Sequence, residues 1–339
     1  MAALCLPLML AGAPARAGTV RVDGISDQSL PAWDGGFAAS PLAAQLGDVL
    51  AGGGRGQIGL ARYVVQWNAL TQPSRGPSPA GDYRERFEAW LVDVRRLGMT
   101  AVVALTSYDG AYPGSPGEYA RTLRGVLDAG LAQGEPIAYL EPWNEPNNQG
   151  RMGAGAAALL ADVANAICRT RGDCQVIAGD FEDTPELPSY ERSYERALTF
   201  TPALWGVHPY RAVAAHSEAT VRAFLAALPD GGLGARVWLT EVAVFYCRHG
   251  QVLGEPSQAA DAAYLLHGLI GDPAVAPEHV LYYGLMAGDG RPAQCAAGGG
   301  DDSELYAPGD RPRAAAEVLL PAIAHRFGWP AFGPGPAAE

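Results

Sequence analysis

Lysine is absent from this chain: all 24 cationic side chains of its 339 residues are Arg, against 36 Asp and Glu. The missing Lys, together with the abundance of Ala and Gly, reflects codon usage rather than mechanism. The shortage of positive charge has more consequence. A net charge of −12 argues against nucleic acid as a partner, because a polyanion needs a basic surface. No stretch after the N-terminus is long and apolar enough to span a bilayer. The five cysteines include no Cys-x-x-Cys pair, and no His pairing stands beside them, so no zinc or other metal site is expected. Residues 52–59 are glycine-rich, but they precede a strand pattern instead of opening a helix, which excludes a dinucleotide fingerprint. The run Gly298-Gly299-Gly300-Asp301-Asp302 lacks the alternating ligands of a calcium loop. No cofactor is implied. Internal repeats and domain-sized linkers are also missing.

What is present begins with an export signal. Residues 4–11 are apolar, and Ala15-Arg16-Ala17 offers a cleavage site. Residues 1–17 are therefore expected to leave, and the protein to be secreted or periplasmic. Residues 18–327 form the folded part, and residues 328–339 are a Pro/Gly-rich tail. Cys5 would depart with the signal. The remaining four cysteines allow three pairings, and disulfides suit an exported chain. Cys168–Cys174, closing a short loop after a helix, and Cys247–Cys295, joining two late loops, are the expected bonds.

Composition fits a globular protein, with 48% hydrophobic and 18% charged residues. Apolar, β-branched runs read as strands at 20–25, 61–67, 101–106, 137–142, 175–180, 203–208, 236–240 and 280–285. Helical patterns fall between them at 82–97, 117–132, 155–169, 217–228, 258–270 and 313–324, with weaker ones at 41–50 and 185–198. Eight alternations are the arithmetic of a (β/α)8 TIM barrel. A doubly wound open sheet shares the local pattern and is the alternative.

In a barrel of this kind the chemistry sits where strands end and βα loops begin. The fourth strand ends Glu141-Pro142-Trp143-Asn144-Glu145-Pro146-Asn147, and the seventh ends Leu239-Thr240-Glu241-Val242. A carboxylate closing a buried strand is costly unless it is partnered or used. Two of them facing across the barrel mouth suit glycosidic cleavage. One carboxyl protonates the leaving oxygen, while the other stabilises or attacks the anomeric centre.

These strings resemble glycoside hydrolase clan A, and most closely its family 39-like members. The resemblance extends to Arg62 and Trp67 on strand two, Ser115-Pro116-Gly117-Glu118-Tyr119 at helix three, and Gly206-Val207-His208-Pro209-Tyr210 on strand six. It continues into Arg311-Pro312-Arg313 before the last helix. It implies a retaining glycosidase acting on a carbohydrate substrate, with Glu145 as acid/base and Glu241 as nucleophile. It also gives Asn144 a hydrogen bond to the sugar 2-hydroxyl. One departure stands out: many members place a Trp on strand eight as the floor of the sugar subsite, whereas here the strand reads Leu281-Tyr282-Tyr283-Gly284-Leu285-Met286. A carbohydrate-binding barrel without turnover and a transglycosylase are the alternatives, and the presence of both acids weighs against the first.

The other candidates carry competing roles. Arg62 could stabilise Glu241 or pair with Glu141, which is expected in a structural ion pair. Tyr210 would orient Glu241 and keep it ionised. His208 is either a core histidine or a contact to substrate or to Glu241. Trp67 and Trp143 are either core filler or walls for a sugar face. Trp90 belongs to helix packing. Asp180 and Glu182 follow strand five and could contact substrate or cap a helix. Retention requires the two carboxyls about 5–5.5 Å apart, and an acid/base Glu145 is expected to have its pKa raised by burial and by Glu241.

Overall fold

The computed structural model describes residues 22–26, 59–71, 83–108, 110–148, 152–232, 235–284, 301–307 and 311–324. The expected export signal, the helix at 41–50, Cys295 and the tail at 328–339 lie outside these residues. Eight parallel strands close into a barrel. In chain order they are β1 (Gly24–Ser26), β2 (Leu60–Gln66), β3 (Thr100–Thr106) and β4 (Ile137–Glu141), then β5 (Gln175–Glu182), β6 (Leu204–His208), β7 (Arg236–Val242) and β8 (His279–Tyr283). Each strand pairs with its sequence neighbours, and β1 pairs with both β2 and β8 to complete the ring. This closure settles the architecture as a (β/α)8 barrel and removes the open sheet from consideration. β1 begins four residues later than the sequence pattern indicates.

The helices between strands are α1 (Tyr83–Leu97), α2 (Pro116–Ala132), α3 (Ala154–Arg171), α4 (Leu187–Ala197), α5 (Tyr210–Ala215), α6 (Ala219–Ala227), α7 (Glu255–Tyr264) and α8 (Ala314–Ala324). Local chemistry sets several ends. Ser115 caps α2 by accepting the Glu118 amide at 3.2 Å, with Pro116 as first helical residue. Gly172 takes φ 74° at the end of α3, and the Cys168–Cys174 disulfide crosses that turn with Cα atoms 5.0 Å apart. Cys247 is also disulfide-bonded. The loops after β7 and β8 meet at Cys247 and Asp302, which exchange backbone hydrogen bonds in both directions. The helix expected across 258–270 divides into α7 and a π-helical turn, Leu265–Ile270.

Strand alternation sorts the barrel interior into layers. At the amino-terminal end a plug of Leu60, Val102, Ile177, Leu204, Trp238 and Leu281 fills the lumen, each side chain stabilising by about 1.5–3 kcal/mol relative to exposure. Two residues further along four of these strands stand Arg62, Gly179, Gly206 and Thr240. The lumen therefore turns polar just above the plug. Gly206 keeps this place uncrowded, because a Cβ would lie 3.0 Å from Thr240 Oγ1 and 3.2 Å from the Asp180 Cα. The space it leaves is where the charged groups converge.

Candidate active site

Arg62, fully buried on β2, uses all five of its N–H groups. Nε donates to Glu141 Oε2 at 2.6 Å, and Nη1 donates to Ser26 Oγ at 2.9 Å and to Glu241 Oε1. Nη2 donates to Asn144 Oδ1 and to Asp180 Oδ2, both at 2.8 Å. One guanidinium thus fixes residues from strands one, four, five and seven. The expected pair with Glu141 and the expected contact with Glu241 form together. Burial pushes the Glu141 carboxyl well above its ordinary range, against the opposing pull of Arg62, and the charge of Asp180 adds to the rise.

Glu241 lies near the end of β7, with 6% of its side chain exposed. The Tyr210 hydroxyl donates to its Oε2, as the sequence pattern anticipates. Tyr210 opens α5, whose first turn is anchored by Asp183. That buried carboxyl accepts the amides of Arg211 at 2.7 Å and Ala212 at 2.6 Å, and burial pushes it up to about 7.

Glu145 follows β4 in an unusual backbone state, φ 45°, which costs energy for a side chain with a Cβ and persists where surroundings enforce it. Its amide donates to the Asp180 carbonyl at 2.9 Å. Nearby, Asn147 exchanges two hydrogen bonds with the Glu182 backbone, at 2.7 and 3.0 Å. Asn148 Nδ2 donates to Glu145 Oε2 at 3.0 Å. His208 Nδ1 meets Glu145 Oε1 at 2.9 Å and stands 3.6 Å from Glu241 Oε2. Its Nε2 meets Asp180 Oδ1 at 2.7 Å. Burial opposes charge on this imidazole. The charges of Asp180 and Glu241, and its hydrogen bonds to Asp180 and Glu145, outweigh that and raise its pKa well above the usual range.

Here one expectation is corrected. Glu145 was expected to have a raised pKa. Burial does push it up, but the His208 hydrogen bond and charge, with the Asn148 amide, bring it below its ordinary value. The pull of these partners favours a proton on His208 over one on Glu145, across 2.9 Å.

Asp180 is the residue that sequence reasoning left undecided. Strict alternation from Ile177 aims Gly179 and Phe181 inward and Asp180 outward. The register against β6 slips between Gly179 and Phe181, making Asp180 the extra residue of a bulge with φ 58°. Its carboxylate turns into the barrel, where Oδ1 accepts Thr240 Oγ1 at 2.7 Å as well as His208. Phe181 instead packs outward against Tyr190, Tyr194 and Phe224. A Gly inside a strand pattern is a signal for such a bulge, and Gly179-Asp180 carried it.

Glu145, His208 and Glu241 each present one ligand atom within 4.8 Å of the others, so the two carboxyls approach each other inside that limit. Three such atoms could hold a metal ion. The Arg62 guanidinium on Glu241 already supplies positive charge at this spot, which disfavours a further cation. Trp67 and Trp143 are only 2% and 4% exposed. The Trp67 indole donates to the Ala111 carbonyl at 2.6 Å, and Trp143 is covered by Tyr112. On strand eight, Tyr283 packs with Tyr210, Ala243 and Phe245, beside Glu241.

No family model matches this chain, and no curated protein matches it. Solved structures do match in fold, at low identity. SrfJ from Salmonella typhimurium superposes with a TM-score of 0.62 at 13% identity, over 92% of this chain and 76% of that one. The GH53 catalytic domain from Ignisphaera aggregans gives 0.60 at 11%, over 90% and 96%. Xylanase 10B from Thermotoga maritima gives 0.53 at 10%, over 91% and 96%. The chain is a (β/α)8 barrel of the architecture that glycoside hydrolases carry. Its particular chemistry rests on its own residues.

Proposed function

We propose that this protein is a retaining glycosidase of the clan A type, family 39-like in its motifs, in which Glu241 is the nucleophile and Glu145 the acid/base. The observation that carries this reading is the pair of strand-end carboxyls approaching within 4.8 Å, each in a different electrostatic setting. Retention needs a separation near 5 Å, whereas inversion needs room for water between the acids, about 6.5–9.5 Å. Glu241, aligned by Arg62 and Tyr210, attacks the anomeric carbon as the bond to the leaving oxygen breaks. Glu145, having taken the proton from His208 Nδ1 as substrate displaces water, delivers it to that oxygen. In the second half Glu145 removes a proton from water, the water oxygen bonds to the anomeric carbon, and Glu241 departs as carboxylate. Asn144, held by Arg62, is placed to bond the sugar 2-hydroxyl. The expected export signal favours an extracellular or cell-envelope polysaccharide or oligosaccharide as substrate. Xylanase and endo-β-1,6-glucanase names among the structures similar in fold are consistent with that class.

The test asks the two acids to fail differently. Glu241→Ala should lose turnover of every substrate. Glu145→Ala should still form the glycosyl-enzyme from an activated aryl glycoside, showing a burst followed by slow release, while polysaccharide cleavage collapses by about 10²–10⁴-fold. Azide should restore aryl glycoside turnover in Glu145→Ala with retained configuration, and in Glu241→Ala it should give the opposite anomer. Exchange of these outcomes between the variants would reverse the roles. Wild-type activity on no member of a polysaccharide and aryl glycoside panel would reject the enzyme.

A further inference from the structure

Asp183 is the first residue after β5 and is fully buried. Its backbone and its side chain grip one neighbouring segment from both ends. The Asp183 amide donates to the His208 carbonyl at 3.1 Å, at the end of β6. Its carboxylate accepts the Arg211 amide on Oδ1 at 2.7 Å and the Ala212 amide on Oδ2 at 2.6 Å. The segment between these contacts, His208-Pro209-Tyr210, carries one contact to each strand-end acid: His208 to Glu145 and Tyr210 to Glu241. The amides of a helix's first turn have no partner within the helix, and the residue before Tyr210 is Pro209, which offers no side-chain cap to α5. The carboxylate of the neighbouring strand end takes that place for Arg211 and Ala212.

The Arg211 amide and the Tyr210 carbonyl belong to one rigid peptide plane. Fixing that amide constrains the direction in which the Tyr210 side chain leaves the backbone, and any tilt of the plane is magnified along the ring to its hydroxyl. The ring packs on Phe245 with centroids 5.6 Å apart, and the hydroxyl donates to Glu241 Oε2. Asp183 therefore begins a continuous chain of contacts that ends on Glu241.

We infer that Asp183 is a positioning residue for the reaction: through the first turn of α5 it aims the Tyr210 hydroxyl at Glu241, and so sets the direction from which the nucleophile meets the anomeric carbon. This rests on the glycosidase reading with Glu241 as nucleophile. The effect of the side chain passes through Tyr210, because His208 is held by the Asp183 backbone amide, which a substitution leaves in place.

Activated aryl glycosides isolate the nucleophile's step, because their leaving group departs without protonation, and kcat/KM then reports attack by Glu241. The full chain is screened on the aryl α- and β-glycosides of glucose, galactose, mannose, xylose and arabinose. The substrate turned over best serves for a double-mutant cycle between Asp183 and Tyr210, and a polysaccharide that the protein cuts takes its place if none is turned over. Tyr210→Phe should lower kcat/KM roughly 100-fold. Asp183→Asn keeps one acceptor but turns an amide N–H toward the other backbone N–H, and should lower it about ten-fold. The combined variant should fall about 100-fold, no further than Tyr210→Phe alone. Asp183→Ser, with one oxygen left to accept an amide, replaces the asparagine variant if that does not fold. Independent losses, giving about 1,000-fold in the combined variant, overturn the positioning role. So does an Asp183 variant that matches the wild type, and both results leave the glycosidase standing. Wild-type failure to turn over any aryl glycoside or to cut glucan, galactan, mannan or xylan defeats the glycosidase and the positioning role together.

Discussion

At the scale of single residues, Asp180 connects groups that the chain supplies far apart. Its carbonyl holds the Glu145 amide, and its carboxylate holds His208, Thr240 and Arg62. Burial alone would push this carboxyl up, yet the charges of Arg62 and His208 and the His208 hydrogen bond hold it far below the usual range. Asp180→Asn keeps an acceptor but sets an amide N–H against either Arg62 or His208, and it removes the charge that most favours the imidazolium. The direction follows directly. With less to raise it, His208 should lose its proton at lower pH, so the alkaline limb of kcat/KM should move toward neutrality. We expect kcat to fall roughly 100-fold, with a smaller change in KM. Imidazole ¹⁵N shifts followed against pH would check His208 independently of turnover. A purely structural role for Asp180 would lower activity and leave the limb in place.

At the scale of elements, α4 buries a carboxyl that, among the described residues, is opposed only by the charge of Arg192. Glu191 is fully buried, and neither of its oxygens has a hydrogen-bond partner. Burial, assisted by the charge of Glu195, pushes it up to about 7. The folded protein therefore keeps a proton that the unfolded chain has lost between about pH 4.5 and 7. Stability from this group is complete below the unfolded value and declines as pH rises through about 7. Glu191→Gln removes the ionisation while keeping the shape. It should match the parent near pH 4 and exceed it by about 3 kcal/mol at pH 8, measured by urea unfolding at both values. Equal stability of parent and variant at pH 8 would show that the charge is relieved in solution.

At the scale of the whole molecule, one three-residue strand closes the ring. β1 pairs with β2 and β8 at once, and its Ser26 hydroxyl accepts from Arg62, so closure and the charged cluster share an element. Gly24 sits where a Cβ would approach Leu281 Cγ at 2.7 Å and Leu60 Cβ at 3.0 Å. Gly24→Ala should push β1 from its neighbours and destabilise the barrel by about 1–3 kcal/mol. Denaturant melts would give the loss, and activity measured well below the melt would show whether Arg62 shifts with the strand. A neutral substitution would mean that Leu281 rotates away freely.

Most of the frame was legible along the chain. Buried parallel strands are short and continuously apolar, and their positions follow from composition within a few residues. Strand ends carry the acids, so Glu145 and Glu241 stood out where a carboxylate has no structural reason to be. The Arg62–Glu141 pair was readable because alternation fixes which strand side chains share the lumen, and the Tyr210 contact to Glu241 because Tyr210 stands just past the end of a strand. Tertiary structure decided what depends on distances between strands. The bulge at Gly179-Asp180 turned an outward position inward, because one extra residue inverts the pleat beyond it. Burial put Trp67 and Trp143 behind the surface and left Tyr112 on it, since exposure is a property of neighbours and not of residue type. Above all, the pKa shift expected for Glu145 has the opposite sign, because His208 faces it. Sequence gives the identity of an ionisable group, whereas its protonation is set by the sum of charges within a few ångströms, which only the closed barrel brings together.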